Sequence, residues 1–159
     1  TSATASTVVS VTNPGGPTIP VVSIAGASLA EGNDGTKVLS FLVSLTTAAR
    51  SPVSVAYRTV AGTSTAGSDY QQTAGSVTFR TGQRTATIVV AVMGDTVVEP
   101  DETFTVELSN PANATLGVST AVGTILNDDT LVAMTAAGPQ TTTPGRRVMN
   151  SVWRSLLVS

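Results

Sequence analysis

Between residues 21 and 129, apolar and polar side chains alternate with a period of two in one short segment after another, and no helical period intervenes. Successive side chains of an extended chain point to opposite faces, so this pattern specifies half-buried strands. In residues 39–45, Leu39, Phe41, Val43 and Leu45 share one face, and Ser40 and Ser44 fall on the other. Val53, Val55 and Tyr57 repeat the pattern opposite Ser54 and Arg58, and Ala86, Ile88, Val90 and Val92 repeat it opposite Thr85 and Thr87. Phe104, Val106 and Leu108 do so again opposite Thr103, Thr105 and Glu107. With residues 21–29, 76–79 and 120–126 this makes about seven strands. Turn signals separate them at residues 32–35, 61–68, 81–82 and 110–111. Short strands at this spacing predict an all-β fold, an antiparallel sandwich with Phe41, Phe79, Phe104 and Tyr57 as the largest plugs of an aliphatic core.

The flanks lack this pattern. Residues 1–19 are rich in Thr, Ser and Ala and end in Asn13-Pro14-Gly15-Gly16-Pro17, which sustains neither helix nor ladder, so a flexible arm or linker is expected there. Its one strand candidate is residues 6–12, where Val9 and Val11 alternate with polar residues while Val8 breaks the pattern. No positively charged start leads into an apolar core, so an intact secretory signal peptide is not expected. Residues 131–159 form the second flank, a Gly/Pro/Thr linker followed by residues 146–159. There Val148, Val152 and Leu156 make one stripe with Met149, Trp153 and Leu157 beside it, and Arg146, Arg147 and Arg154 are available to the polar side. That spacing predicts a short amphipathic helix, marginal alone in water, which either finds a partner surface (its own sandwich, another subunit or a membrane interface) or stays disordered. The domain proper is expected over residues 20–130.

Composition narrows the chemistry. The chain has no Cys and no His, which removes disulfides, thiol nucleophiles, histidine triads and the usual zinc sites. Its eight Lys and Arg residues are dispersed and outnumbered by ten carboxylates, so no basic stripe for nucleic acid exists. No run reaches the roughly 20 apolar residues of a membrane span. With 11% of residues charged, the placement of the acids becomes the informative feature. They are Glu31, Asp34, Asp69, Asp95, Glu99, Asp101, Glu102, Glu107, Asp128 and Asp129, and only Glu107 lies inside a strand. Residues 95–102 follow one strand and Asp128-Asp129 another, and the single strand between them restores the chain direction, so both clusters can share one end of the sandwich. Like charges gathered within about 4–6 Å raise one another's pKa and repel. Calcium removes that cost by taking six to eight oxygen ligands in irregular geometry, whereas magnesium usually keeps several waters. Polar loops also collect acids without any ligand, so spacing alone leaves both readings open.

The run Tyr57-Arg58-Thr59-Val60-Ala61-Gly62-Thr63-Ser64-Thr65-Ala66-Gly67-Ser68-Asp69-Tyr70 resembles the Y-x-T-x-x-G-T-A-x-A-G-x-D-Y signature of Calx-beta domains, with Ser64 in place of the usual Ala. Further landmarks follow the same order: Ala30-Glu31-Gly32, Gly75-Ser76-Val77-Thr78-Phe79, Gly82, Asp95, Glu99-Pro100-Asp101-Glu102-Thr103-Phe104, Leu108-Ser109-Asn110-Pro111 and Thr124-Ile125-Leu126-Asn127-Asp128-Asp129. The resemblance covers residues 21–129. It implies a seven-stranded immunoglobulin-like sandwich with calcium bound among the loops at one tip. Carried over position by position, it implies Glu31, Asp69, Asp95, Glu99, Glu102, Asp128 and Asp129 as ligands. Asn127 stands where strongly binding members have the first of three Asp, and Gly94 where they have an Asp before Asp95. An amide oxygen still ligates but brings no charge, and Gly94 offers only its carbonyl. The resemblance therefore implies one or two ions bound with an affinity suited to millimolar extracellular calcium, since affinity falls with ligand charge.

Other signals are smaller. Gly62, Gly67, Gly75 and Gly82 are expected to be turn glycines with positive φ. No G-x-x-x-x-G-K run cradles a phosphate. Asn113-Ala114-Thr115 matches a glycosylation sequon, a short and weak motif. Glu99 and Glu102 could pair in a hydrolase, but no pocket-forming aromatic residues accompany them, and no enzyme is expected. The expectation is a non-catalytic, calcium-binding structural or adhesion module of a secreted or cell-surface protein, its partners the neighbouring domains or subunits. The alternatives are a subunit of an extracellular filament, adding residues 6–12 as a strand to a copy of itself, and a cytoplasmic calcium sensor. No nucleic acid partner is expected, and membrane contact only through residues 146–159.

Overall fold

The alternating segments form β1 (Val21–Ile24), β2 (Ala27–Ala30), β3 (Thr36–Leu45), β4 (Val53–Ala61), β5 (Ala74–Phe79), β6 (Thr85–Met93), β7 (Glu102–Ala112), β8 (Thr115–Leu116) and β9 (Thr120–Leu126). They are seen in a computed structural model that describes residues 18–131, so the strand candidate at residues 6–12 and the amphipathic segment at residues 146–159 lie outside the described residues. Two sheets pack face to face, one ordered β6-β3-β1-β8 and the other β2-β9-β7-β4-β5, with no helix among the described residues. The longest ladder runs from Thr36 opposite Met93 to Ser44 opposite Thr85. That register turns Leu39, Phe41, Val43, Ile88, Val90 and Val92 inward, against Val53, Val55, Phe79, Phe104, Val106 and Ile125 of the other sheet, all of them buried.

The strand count differs from seven, and the physical reason lies at Ala25-Gly26. The run 21–29 is two strands. β1 pairs antiparallel with β3, and the chain then crosses to the other sheet, where β2 pairs parallel with β9. A side chain at Gly26 would approach the carbonyl oxygen of Val122 to 2.9 Å, so glycine permits the crossing. A strand that changes sheets keeps its direction, which is why two parallel pairings, β2 with β9 and β1 with the short β8, sit inside an otherwise antiparallel sandwich.

The aromatic core also departs from expectation in one member. Phe41, Phe79 and Phe104 are fully buried, but the fourth ring is Tyr70, while Tyr57 is only partly buried and packs at the margin. Tyr70 stacks on Phe104 with ring centroids 4.4 Å apart, and Phe41 meets Phe104 edge-on at 5.8 Å. An aromatic side chain buries roughly 150–250 Å², so this trio contributes a large share of the buried apolar area. It lies beneath one end of the sandwich, because register sets Phe104 opposite Ala61, the last residue of β4. The connections β2–β3, β4–β5 and β6–β7 and the chain after β9 all emerge at that end. They hold nine of the ten acids, Glu102 being the first residue of β7.

Candidate metal centre

Asp69 is placed by the turn that precedes it. Gly67 takes φ 101°, the Gly67 N–H donates to the Tyr70 carbonyl at 2.9 Å, and the Thr65 N–H donates to Asp69 Oδ2 at 2.6 Å. The next side chain, Tyr70, plunges into the core, and the Met93 N–H donates to the Asp69 carbonyl at 2.8 Å. Asp69 is thus anchored from below by a buried ring and from the side by the end of β6. Across from it stand Glu102 at the start of β7 and Glu99 from the β6–β7 connection. Carboxylate oxygens of Asp69, Glu99 and Glu102 all lie within 4.8 Å of one another.

A second group adjoins the first. Glu31 is 5% exposed and Asp129 7% exposed, unusual burial for carboxylates. The Gly32 N–H donates to Asp128 Oδ1 at 2.9 Å, and Asn33 Nδ2 donates to Asp129 Oδ1. These bonds tie the β2–β3 turn to the chain leaving β9. Asp95 accepts the Val97 N–H at 2.7 Å, shaping its own loop. Burial raises the pKa of Glu31, and the charges of Asp95, Glu99, Asp129 and Asp128 raise it further. The two groups are therefore one electrostatic unit.

The strongest perturbation is at Glu102, pushed up to about 7 by burial, by a hydrogen bond to Asp69, and by the charges of Asp69, Glu99 and Glu31. Asp69 moves the other way. Burial alone would raise it, but the Thr65 N–H, the Ser68 hydroxyl and the Glu102 carboxyl hold it below the usual range. Asp69 and Glu102 thus share a proton when nothing else neutralises them, the behaviour of like charges that cannot both ionise.

The donor set consists of oxygens, which suits a hard divalent cation. Among the described residues two buried side-chain oxygens have no hydrogen-bond partner, Tyr70 Oη in the core and Asp129 Oδ2 at this tip. A buried unpaired carboxylate oxygen is costly, and a cation is the partner that would satisfy it. The residues present fit calcium.

Residues 20–130 match the Calx-beta domain family. The chain belongs to the Calx-beta family. Among curated proteins this Calx-beta chain is similar to sodium/calcium exchanger 1 of Canis lupus familiaris, 47% identical over 58 residues, which is 36% of this chain and 6% of the exchanger. It is also similar to the extracellular matrix organizing protein FRAS1 of Mus musculus, 41% identical over 76 residues, 45% of this chain and 2% of that protein. The chain thus spans a small fraction of both relatives. Among solved structures, the apo-form Calx CBD1 domain matches with a TM-score of 0.59 and 26% identity over 70% of this chain and all of that one. The calcium binding domain CBD12 of CALX1.1 matches with a TM-score of 0.59 and 29% identity over 68% of this chain and 46% of that one.

Within this Calx-beta tip, the proposed ligands whose carboxylates converge are Asp69, Glu99 and Glu102, and Asn127, also proposed from sequence, braces its own turn. Its amide closes on its own turn, Oδ1 accepting the Asp129 N–H at 3.4 Å and Nδ2 donating to the Asp129 carbonyl at 3.2 Å. Asp101, passed over in the sequence, accepts the Asn127 N–H at 3.1 Å and so orients the Asn127–Asp129 turn. Ser64 is buried, and its hydroxyl donates to the Thr103 carbonyl at 2.9 Å, which locks the β4–β5 connection to β7. The glycines divide in two: Gly67 and Gly82 have positive φ, but Gly62 and Gly75 do not. At Gly62 a side chain would meet the Thr103 carbonyl at 2.5 Å, and at Gly75 it would meet the Tyr57 ring. Gly94 is a close-approach glycine too, since a side chain there would strike the carbonyls of Gly32 and Glu31. No local sequence signal separates these close-approach glycines from turn glycines, because the obstructing atoms come from distant strands.

Proposed function

We propose that this chain is a non-catalytic calcium-binding module in which Glu31, Asp69, Asp95, Glu99, Glu102, Asp128 and Asp129 hold the ion, with Asn127 shaping the last ligand turn. The observation that carries this reading is the convergence of the Asp69, Glu99 and Glu102 carboxylates within 4.8 Å. Calcium supplies the positive charge that lets them ionise together, displacing the proton shared by Asp69 and Glu102. The assembled loops bind the ion and the unfolded chain does not, so binding stabilises the fold. Its consequence is a stiff tip that fixes the angle to a neighbouring domain or subunit. A secreted or cell-surface setting suits a site with a neutral Asn127 and Gly94 where further carboxylates would raise affinity, and FRAS1 is named for the extracellular matrix. The second reading, a cytoplasmic sensor, draws on the 47% identity to an exchanger.

Thermal melts with calcium and with chelator test the proposal. At a hundredfold excess over Kd the ion is expected to add about 2.7 kcal/mol. For a domain of this size that raises Tm by on the order of 10 °C. An unchanged midpoint up to ~10 mM calcium, beyond the weakest extracellular sites, would overturn it. A Kd below about 1 μM would favour the sensor over the extracellular module.

A further inference from the structure

The outer face of the β3–β6 ladder carries an apolar patch unrelated to the acidic tip. Val38, Leu42 and Val89 are 59%, 51% and 55% exposed. Register brings them together, since Val89 sits opposite Ser40, midway between Val38 opposite Ala91 and Leu42 opposite Thr87. Diagonal neighbours on one face lie within reach of large side chains, so the three form one continuous surface rather than scattered residues.

Three observations name its occupant. First, residues 146–159 carry apolar stripes with helical spacing, Val148, Val152 and Leu156 with Met149, Trp153 and Leu157, and a segment of that kind gains a stable helix only against a partner surface. Second, the charges are complementary. Residues 18–131 hold ten carboxylates against five cations, whereas residues 146–159 hold three Arg and no acid. Third, the reach is right. The described chain leaves β9 at the acidic end, which is where Val38 begins the patch: Thr36, two residues earlier, is opposite Met93, the last residue of β6. The intervening residues 132–145 can span roughly 45–50 Å when extended, more than the length of β3 at about 3.3 Å per residue.

We infer that residues 146–159 dock on the outer face of β3 and β6 in the same chain, laying their apolar stripes on Val38, Leu42 and Val89 with Arg146 and Arg147 toward the acidic end. Tethering makes the contact intramolecular, so a modest apolar patch suffices for occupancy.

Trp153 is the only tryptophan, so its fluorescence in the full-length chain reports on this contact alone. The wild-type emission is expected to be blue-shifted and shielded from acrylamide at every protein concentration. Leu42→Asp should lower the docked population about tenfold, equivalent to ~1.4 kcal/mol, with a red shift and greater quenching. Leu42→Thr with Val89→Thr, which keeps β propensity, should give the same direction with an unchanged circular dichroism spectrum, which separates lost docking from lost folding. Arg146→Glu with Arg147→Glu should weaken docking most at low salt. A solvent-like Trp153 in the wild type, or an emission indifferent to the Leu42 and Val89 substitutions, would overturn the inference. So would a blue shift that grows with protein concentration, which would assign the face to a second copy, or one that needs anionic vesicles, which would assign the segment to a membrane.

Discussion

At the end that carries Arg50, Arg80 and Arg84, the connections close on neutral groups. The Ala49 N–H donates to the Gln83 carbonyl, Gly82 N–H to the Ala49 carbonyl, and Gln83 N–H to the Arg80 carbonyl, all at 2.7–2.9 Å. Arg84 adds a guanidinium bond to the Thr46 carbonyl at 2.8 Å, and Asn113 a side-chain bond to the Pro52 carbonyl at 2.8 Å. At the opposite end carboxylates take over that work: Asp69 holds Thr65, Asp95 holds Val97, Asp128 holds Gly32, and Asp101 holds Asn127. Backbone bonds carry no net charge and need nothing further. Carboxylates accept strong bonds but accumulate repulsion, and at Glu102 burial, a hydrogen bond to Asp69 and that repulsion together raise the pKa to about 7. One end of the sandwich therefore closes on its own hydrogen bonds, and the other gathers carboxylates whose repulsion the proposed calcium ion would relieve.

The largest effect should come from the core beneath the acidic end. Phe104→Ala removes the ring on which Tyr70 stacks and Phe41 abuts. Its cost is expected to be about 3–5 kcal/mol, measured by denaturant unfolding at saturating calcium. Calcium affinity should fall as well, because Tyr70 anchors the loop that presents Asp69. A full loss of stability with an unaltered Kd would mean that the tip is held without the aromatic trio.

Acidity separates the two ends next. In the calcium-free protein Glu102 has a folded pKa of about 7 against an ordinary 4.5, so between these values the native state binds the extra proton. Stability must then fall as pH rises through that window and stay low above it. Glu31, also raised, acts in the same direction. Asp69, held low, contributes stability that is present above its ordinary 3.8 and is lost only below it. The calcium-free protein should melt higher at pH 5 than at pH 8, and saturating calcium should reverse that order, because protons compete with the ion. Glu102→Gln should flatten the calcium-free slope and weaken calcium binding by on the order of tenfold or more, as expected when a site loses a charged ligand. A calcium-free slope unchanged in the variant would place the shared proton elsewhere.

The strands were legible because period-two alternation is local, and Leu39 to Leu45 needs no knowledge of its neighbours. The concentration of acids at one end was legible for a similar reason, since counting chain reversals requires only the order of strands. Three features were not. The sheet crossing at Gly26 depends on the Val122 carbonyl nearly 100 residues away, and the slip of the inward positions from Val22 and Ile24 to Ala27 and Leu29 does not reveal which sheet β2 joins. Tyr70 and Tyr57 flank the same signature, and only the stack on Phe104 shows which of them enters the core. Asp101 and Asn127 look like one more acid and one more ligand. Their hydrogen bonds also brace the turn that carries Asp128 and Asp129, a role that neither residue type announces.

Gly94 sharpens the comparison with a smaller effect. Replacing it with Asp adds a carboxylate beside Asp95, and by charge alone affinity should rise. The added side chain would collide with the carbonyls of Gly32 and Glu31, displacing the turn that holds Glu31 and the Gly32 N–H bonded to Asp128. Packing is expected to win. Gly94→Asp and Gly94→Ala should both cost about 1–3 kcal/mol, typical of overpacking, and both should weaken calcium binding in calorimetric titration. Tighter binding by the Asp variant would show that the turn yields easily and that charge count governs the site.

The smallest effect belongs to the end that carries the arginines, where the contrast is cleanest. Gly82 takes φ 89°, has open space around the position of an added side chain, and donates to the Ala49 carbonyl at 2.7 Å. Gly82→Ala therefore introduces conformational strain with no clash, expected at about 1 kcal/mol. Since that turn contains no carboxylate and lies at the far end of β5 and β6, the shift in Tm should be the same with calcium, with chelator, and at pH 5 or pH 8. Effects at separated sites without shared partners add. A Gly82→Ala penalty that changed with calcium would mean that the ladders transmit the state of the tip along the full length of the sandwich, and the two ends would then have to be treated as one cooperative device.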